Sequence, residues 1–67
     1  MATVEHRIRE HDVVALRAAI GRWPAGTVGT VVSLYPDARV LLEVADPHGR
    51  TVDLVRVPTA RLNAAPA

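Results

Sequence analysis

The sequence predicts an all-β fold, a small and strongly curved barrel of four to five antiparallel strands with a short 3₁₀ turn before the last one. Three observations predict it. Gly26 and Gly29 open a β-branched run, Thr27-Val28-Gly29-Thr30-Val31-Val32, so a tight turn feeds directly into a strand. Turn residues recur at close spacing, as Pro36-Asp37-Ala38, Asp46-Pro47-His48-Gly49 and Pro58-Thr59-Ala60. The hydrophobic fraction is 49% with no Phe, one Trp and one Tyr, so branched aliphatics must fill the core, and these suit a sheet.

Residues 1–9 mix charge and apolarity and read as a lead-in to a barrel spanning 10–63, with 64–67 as a frayed tail. Asp12-Val13-Val14-Ala15-Leu16 is the first strand. Ala18 to Pro24 follows as a loop with apolar anchors, in which Ile20 tucks under the sheet and Pro24 stops any helix. In the second strand, Val28 to Tyr35, alternation places Val28, Thr30, Val32 and Leu34 on the core face. Gly29, Val31, Ser33 and Tyr35 then face outward. Gly29 inside that strand marks a bulge or a close backbone approach.

The third strand, Arg39 to Ala45, alternates cleanly, with Val40, Leu42 and Val44 opposite Arg39, Leu41 and Glu43. Asp46-Pro47-His48-Gly49 has Asp first, Pro second and Gly fourth, as a β-turn requires. The fourth strand, Arg50 to Val57, changes phase between Val52/Leu54 and Val55/Val57, which a bulge near Leu54 would reconcile. After Pro58-Thr59-Ala60, Arg61-Leu62-Asn63 forms a short closing strand with Leu62 plugging the core.

With 67 residues the chain is one domain, close to the smallest size at which a core supports itself. It has no cysteine, which removes disulfides and thiolate metal sites and suits a reducing cytoplasm. No secretory leader or membrane-length apolar run is visible, so a soluble cytoplasmic protein is expected. All eight basic residues are Arg, nearly cancelled by seven acids to leave +1, and they form no basic block.

The motif series Asp12-Val13-Val14-Ala15-Leu16, Gly26-Thr27-Val28-Gly29-Thr30-Val31-Val32 with Tyr35, Asp46-Pro47-His48-Gly49-Arg50-Thr51, and Pro58 with Leu62 resembles a family of short bacterial proteins known only as domain of unknown function 4926. The likeness covers roughly residues 10–63. The Gly-x-x-Gly-x-Val core is also similar to the KOW motif of SH3-like barrels in ribosomal and transcription proteins. The resemblance implies an SH3-like barrel and no defined activity. It also suggests a partner protein such as a toxin, since such chains are often encoded beside another small protein. The chain departs from nucleic-acid-binding KOW domains in its few aromatics and its lack of lysine.

Catalytic and ligand-binding patterns are poor. His6, His11 and His48 lack metal-ligand spacing and read as surface residues. Ser33 is the only serine and has no base predicted beside it. Glu43, Asp46 and Asp53 read as solvent-facing carboxylates rather than an acid–base pair. No catalytic group, cofactor or metal is expected.

The candidate partner-binding residues are Arg22, Trp23, Pro24, Tyr35, Leu41 and Arg50. Trp and Arg dominate binding hot spots, so the Arg22-Trp23-Pro24 loop is the leading contact surface, flanked by Tyr35 and Arg50. The other reading has Trp23 folding over one open end of the barrel as core, and both stay open here. Outward-facing Leu41 and Val31 beside an unpaired sheet edge offer a second route, through strand addition by another chain or self-association. The expectation is a non-enzymatic protein-interaction module, an antitoxin, immunity or accessory partner of another protein. The alternative is a KOW-like domain binding RNA or a ribosome-associated nucleic acid, weakly because of the +1 charge. No membrane partner is expected.

Overall fold

The computed structural model describes residues 8–64. It contains β1 (Val13–Leu16), β2 (Val28–Tyr35), β3 (Arg39–Ala45), β4 (Thr51–Pro58), a 3₁₀ turn (Thr59–Arg61) and β5 (Leu62–Ala64). All five strands are antiparallel neighbours in one open sheet, ordered β4-β3-β2-β1-β5. The all-β expectation holds, including the 3₁₀ turn before the last strand. β1 to β4 form a meander, and the 3₁₀ turn carries the chain back so that β5 pairs with β1. β5 runs through Ala64, one residue past the predicted barrel limit. The predicted lead-in before Ile8 and the tail after Ala64 lie outside the described residues.

The core shows how one sheet manages without a second layer. Its buried members are Val14 and Leu16 from β1, Val31 from β2, Val40, Leu42 and Val44 from β3, Val57 from β4 and Leu62 from β5. With no helix among the described residues to cover them, side chains from five strands leave water only if the sheet wraps around its own inner face. Two bulges supply bend and twist. In β2, Val31 pairs with Leu42 and Ser33 with Leu41, so Val32 is the extra residue. In β4, Asp53 pairs with Val44 and Thr51 with Ala45, so Val52 is extra. The bulge predicted near Leu54 does not form there, since pairing from Asp53 to Pro58 is regular, and Val52 and Leu54 stay exposed while Val55 and Val57 turn to the core.

The β2 bulge overturns the predicted core face of that strand. Gly29 and Val31 face inward and are buried, whereas Val28 is 48% exposed on the outer side. Thr30 also points outward, opposite Glu43 and Val13. Beyond Val32 the phase reverses, so Ser33 and Tyr35 share the outer face with Leu41 and Arg39 while Leu34 turns inward beside Val40. Leu34 still stays 48% exposed, because β1 ends its pairing opposite Thr30 and no described strand pairs with Leu34 on the side away from β3. A straight period-2 count cannot follow an inner set of 29, 31 and 34, and it discards Gly29 for having no side chain. Val31, predicted to face outward beside Leu41, is wholly buried.

Gly29 is inward because that position tolerates no side chain. A Cβ there would stand 2.6 Å from Leu42 Cγ and 2.8 Å from the Glu43 carbonyl oxygen. The close-approach reading of this glycine is the correct one, and the bulge reading is not.

The turns follow their residues. Pro36-Asp37-Ala38 joins β2 to β3 with Ala38 at φ +62°, the left-handed residue expected after a type I turn in a three-residue hairpin loop. In the β3–β4 turn, Asp46 Oδ1 accepts from the His48 and Arg50 N–H groups at 2.8 and 2.9 Å, and Gly49 supplies φ +82°. Gly29→Ala is expected to lower unfolding free energy by about 1–3 kcal/mol, the usual range for overpacking a core. Urea unfolding followed by circular dichroism measures this, and an unchanged midpoint would contradict the tight β2–β3 contact.

Candidate interaction surface

The β1–β2 loop is ordered by its own small hairpin. Ile20 and Trp23 exchange both backbone hydrogen bonds at 2.9 Å, with Gly21 at φ +53° and Arg22 on the tip. Both flanking side chains, Ile20 and Trp23, pack against the core. The chain then turns through Pro24 to Thr27. The Thr27 N–H and Oγ1 both donate to the Pro24 carbonyl, and Gly26 takes φ +90° at the third position, as a type II turn requires.

This loop reaches the far edge of the sheet. The Trp23 indole N–H donates to Asp53 Oδ2 of β4 at 2.7 Å. Asp53 shares the inward phase of β4 with Val55 and Val57, where a carboxylate needs a donor. The Arg22 guanidinium lies 4.7 Å from the Trp23 ring centre and 3.8 Å from Asp53 Oδ2. Its side chain is 68% exposed, so that ion pair contributes little. Trp23 is thus half-buried and bound, and the loop fastens β1–β2 to β4. Between the two readings of Trp23, the core-covering one describes its contacts.

The predicted site residues fall in three places. Arg22, Trp23 and Pro24 stay in the loop. Arg50 closes the β3–β4 turn, its backbone carbonyl accepting from the Asp46 N–H at 2.8 Å. Tyr35 and Leu41 share the outer face of the sheet, where they do not flank Trp23. There the Arg56 guanidinium lies over the Tyr35 ring, 5.7 Å from its centre. Leu41 stands directly opposite Arg56, and Leu54 lies diagonal to Leu41 with 54% of its surface exposed. Tyr35 in turn stands opposite Arg39. Sequence reasoning missed Arg56 and the fastening role of Asp53. An acid in phase with Val55 and Val57, in a chain with one indole N–H, was the available signal for Asp53.

Arg39 is partly committed. Its Nε donates to Asp37 Oδ2 at 2.8 Å, and this hydrogen bond holds the Asp37 carboxyl below its ordinary value of 3.8. The pair is therefore complete above that value and is lost as pH falls through the lowered one, releasing the Arg39 guanidinium at strongly acid pH.

The β4 edge is poorly suited to strand addition. The Thr59 N–H donates to the Ala38 carbonyl at 2.9 Å, which sets the phase of the β3–β4 ladder. Asp53, Val55 and Val57 then bond to β3, while Leu54, Arg56 and Pro58 turn their backbone groups to the open edge. Pro58 has no N–H, and the Leu54 N–H is held by Asp53 Oδ1 at 2.9 Å. With the Val52 bulge added, this edge presents one ordinary donor, at Arg56, among those three positions.

The family of unknown function termed DUF4926 matches residues 10–64. The chain belongs to DUF4926. No curated protein and no solved structure matches it. The match takes in every strand and the whole outer face of this DUF4926 chain, and it assigns no activity to either.

A double-mutant cycle on Trp23→Phe and Asp53→Ala checks the fastening. The expected coupling is about 1–2 kcal/mol, at the low end for a charged acceptor because Asp53 is half-exposed. Additive effects would show that the hydrogen bond does not hold the loop.

Proposed function

We propose that this chain is a non-enzymatic protein-interaction module, an antitoxin, immunity or accessory partner of another bacterial protein, acting in a reducing cytoplasm. The observation that carries the reading is the outer-face cluster of Tyr35, Arg56, Leu41 and Leu54. Tyr and Arg are the residue types that anchor protein interfaces, and here they stack on each other beside two leucines. The buried core lies on the opposite side of the sheet, so the fold leaves this face free to serve a partner. Contact through the face fits the geometry better than strand addition at β4, whose edge is blunted.

The carboxylates support a non-catalytic reading. Asp46 is engaged by its turn, Asp53 by Trp23 and Leu54, and Asp37 by Arg39. The alternative, a KOW-like nucleic-acid-binding domain, is disfavoured by the +1 charge and by the pairing of Arg39 with Asp37.

The experiment is a tagged capture from the source organism, with and without nuclease, using the wild-type chain and a Tyr35→Ala/Arg56→Ala variant. A stoichiometric protein that survives nuclease and is lost at least tenfold in the variant, at unchanged melting temperature, is the expected result. Recovery of nuclease-sensitive nucleic acid and ribosomal proteins alone overturns the reading in favour of the KOW-like one.

A further inference from the structure

We propose that Arg17 and Arg61 form an anion-binding pair that takes the carboxylates of an acidic protein segment. The Arg17 N–H donates to the Arg61 carbonyl at 2.7 Å, continuing the register in which Leu16 faces Leu62 and Ala15 faces Asn63. The two arginines are therefore backbone neighbours just past the end of β1 and at the last residue of the 3₁₀ turn, where β5 begins.

Two like charges in that position repel and work against the sheet that holds them. Nothing in the described residues offsets this. Neither guanidinium has an ion pair with a described carboxylate, and both residues are exposed. Charge placed at a cost to the fold, and left uncompensated within it, fits a counter-charge brought by another molecule.

The geometry also orients the pair. Arg17 Nη1 donates to the Ala60 carbonyl at 3.4 Å, which draws this guanidinium toward the 3₁₀ turn that ends at Arg61. One of its five donors is so used, and the others remain for a ligand. The nearest ladder pair outside the buried core is Ala15 and Asn63, a small side chain and an exposed amide that adds a donor. Paired guanidinium forks match the planar, bidentate acceptor geometry of carboxylates.

An acidic protein segment is favoured over a polynucleotide by the extent of the charge. A phosphodiester track calls for a run of cations along a groove. Here the basic unit is a single pair of neighbouring arginines on a chain of net charge +1. The site shares no residue with the Tyr35–Arg56 face, so either proposal can fail without the other.

The test is a titration of the 67-residue chain, with ¹⁵N-labelled arginine, by hexaglutamate and separately by hexauridylate at equal ionic strength. The expected result is a saturable shift of the Arg17 and Arg61 Nε–H signals with hexaglutamate. Arg61→Gln is expected to weaken that binding at least about tenfold, as loss of charge-assisted hydrogen bonds would. The exposed Arg61 side chain makes no hydrogen bond or ion pair among the described residues, so this variant is expected to keep its circular dichroism spectrum. Absence of a saturable shift at both arginines overturns the proposal. Tighter binding of hexauridylate than of hexaglutamate at the same two signals also overturns it, in favour of a polynucleotide site.

Discussion

A single five-stranded sheet has no partner layer, so its apolar face leaves water only by curling onto itself. Almost every feature of this chain follows from that constraint. Small branched side chains fill a narrow interior, two bulges bend the longer strands, and Gly29 gives Leu42 the space a side chain would occupy. Curling leaves the edge strands β4 and β5 unpaired with each other. Across this opening the Ile20–Trp23 hairpin lays two half-buried side chains on the core and bonds to Asp53. Asp53 performs two tasks with its two oxygens, holding the loop through one and covering the Leu54 N–H through the other. The same carboxylate therefore links closure of the core to protection of the edge.

The two faces of the sheet consequently have separate roles. The inner face and the loop are occupied with packing and carry few groups left over for a ligand. The outer face carries the side chains that packing does not need, with Tyr35, Leu41, Leu54 and Arg56 on β2 to β4, while the Arg17/Arg61 pair sits where β1 ends and the 3₁₀ turn meets β5. Because bulges fix which residues point outward, deleting Val32 or Val52 would shift the phase of its strand and with it the chemistry of the surface.

Much of the architecture was legible in the sequence, since strands, turns and the 3₁₀ segment are encoded by local residue preferences. The β3 alternation of Val40, Leu42 and Val44 appears as read, and the Asp46 turn forms with its Asp, Pro and Gly in their expected places. The inner face of β2 was illegible for a physical reason. A bulge splits the strand into two phases, and the deciding residue, Gly29, signals through a missing side chain that only the approach of Leu42 explains. The site was less legible still. Trp23 and Tyr35 are adjacent in their hot-spot chemistry and belong to opposite faces, a separation set by the Trp23 contact with β4 and by the β2 bulge. Arg56 acquires meaning only from the register that puts it over Tyr35.

The chain contains one tryptophan and one tyrosine, and each sits on a different one of these surfaces. The indole ring rests on the core with its N–H on a carboxylate, so its emission reports the attachment of the loop and the closing of the interior. The phenol ring, under a guanidinium on the outside of the sheet, reports the face that stays in water until something covers it. The native chain thus carries two intrinsic optical probes, able to tell loosening of the interior apart from occupation of the exterior without any added label.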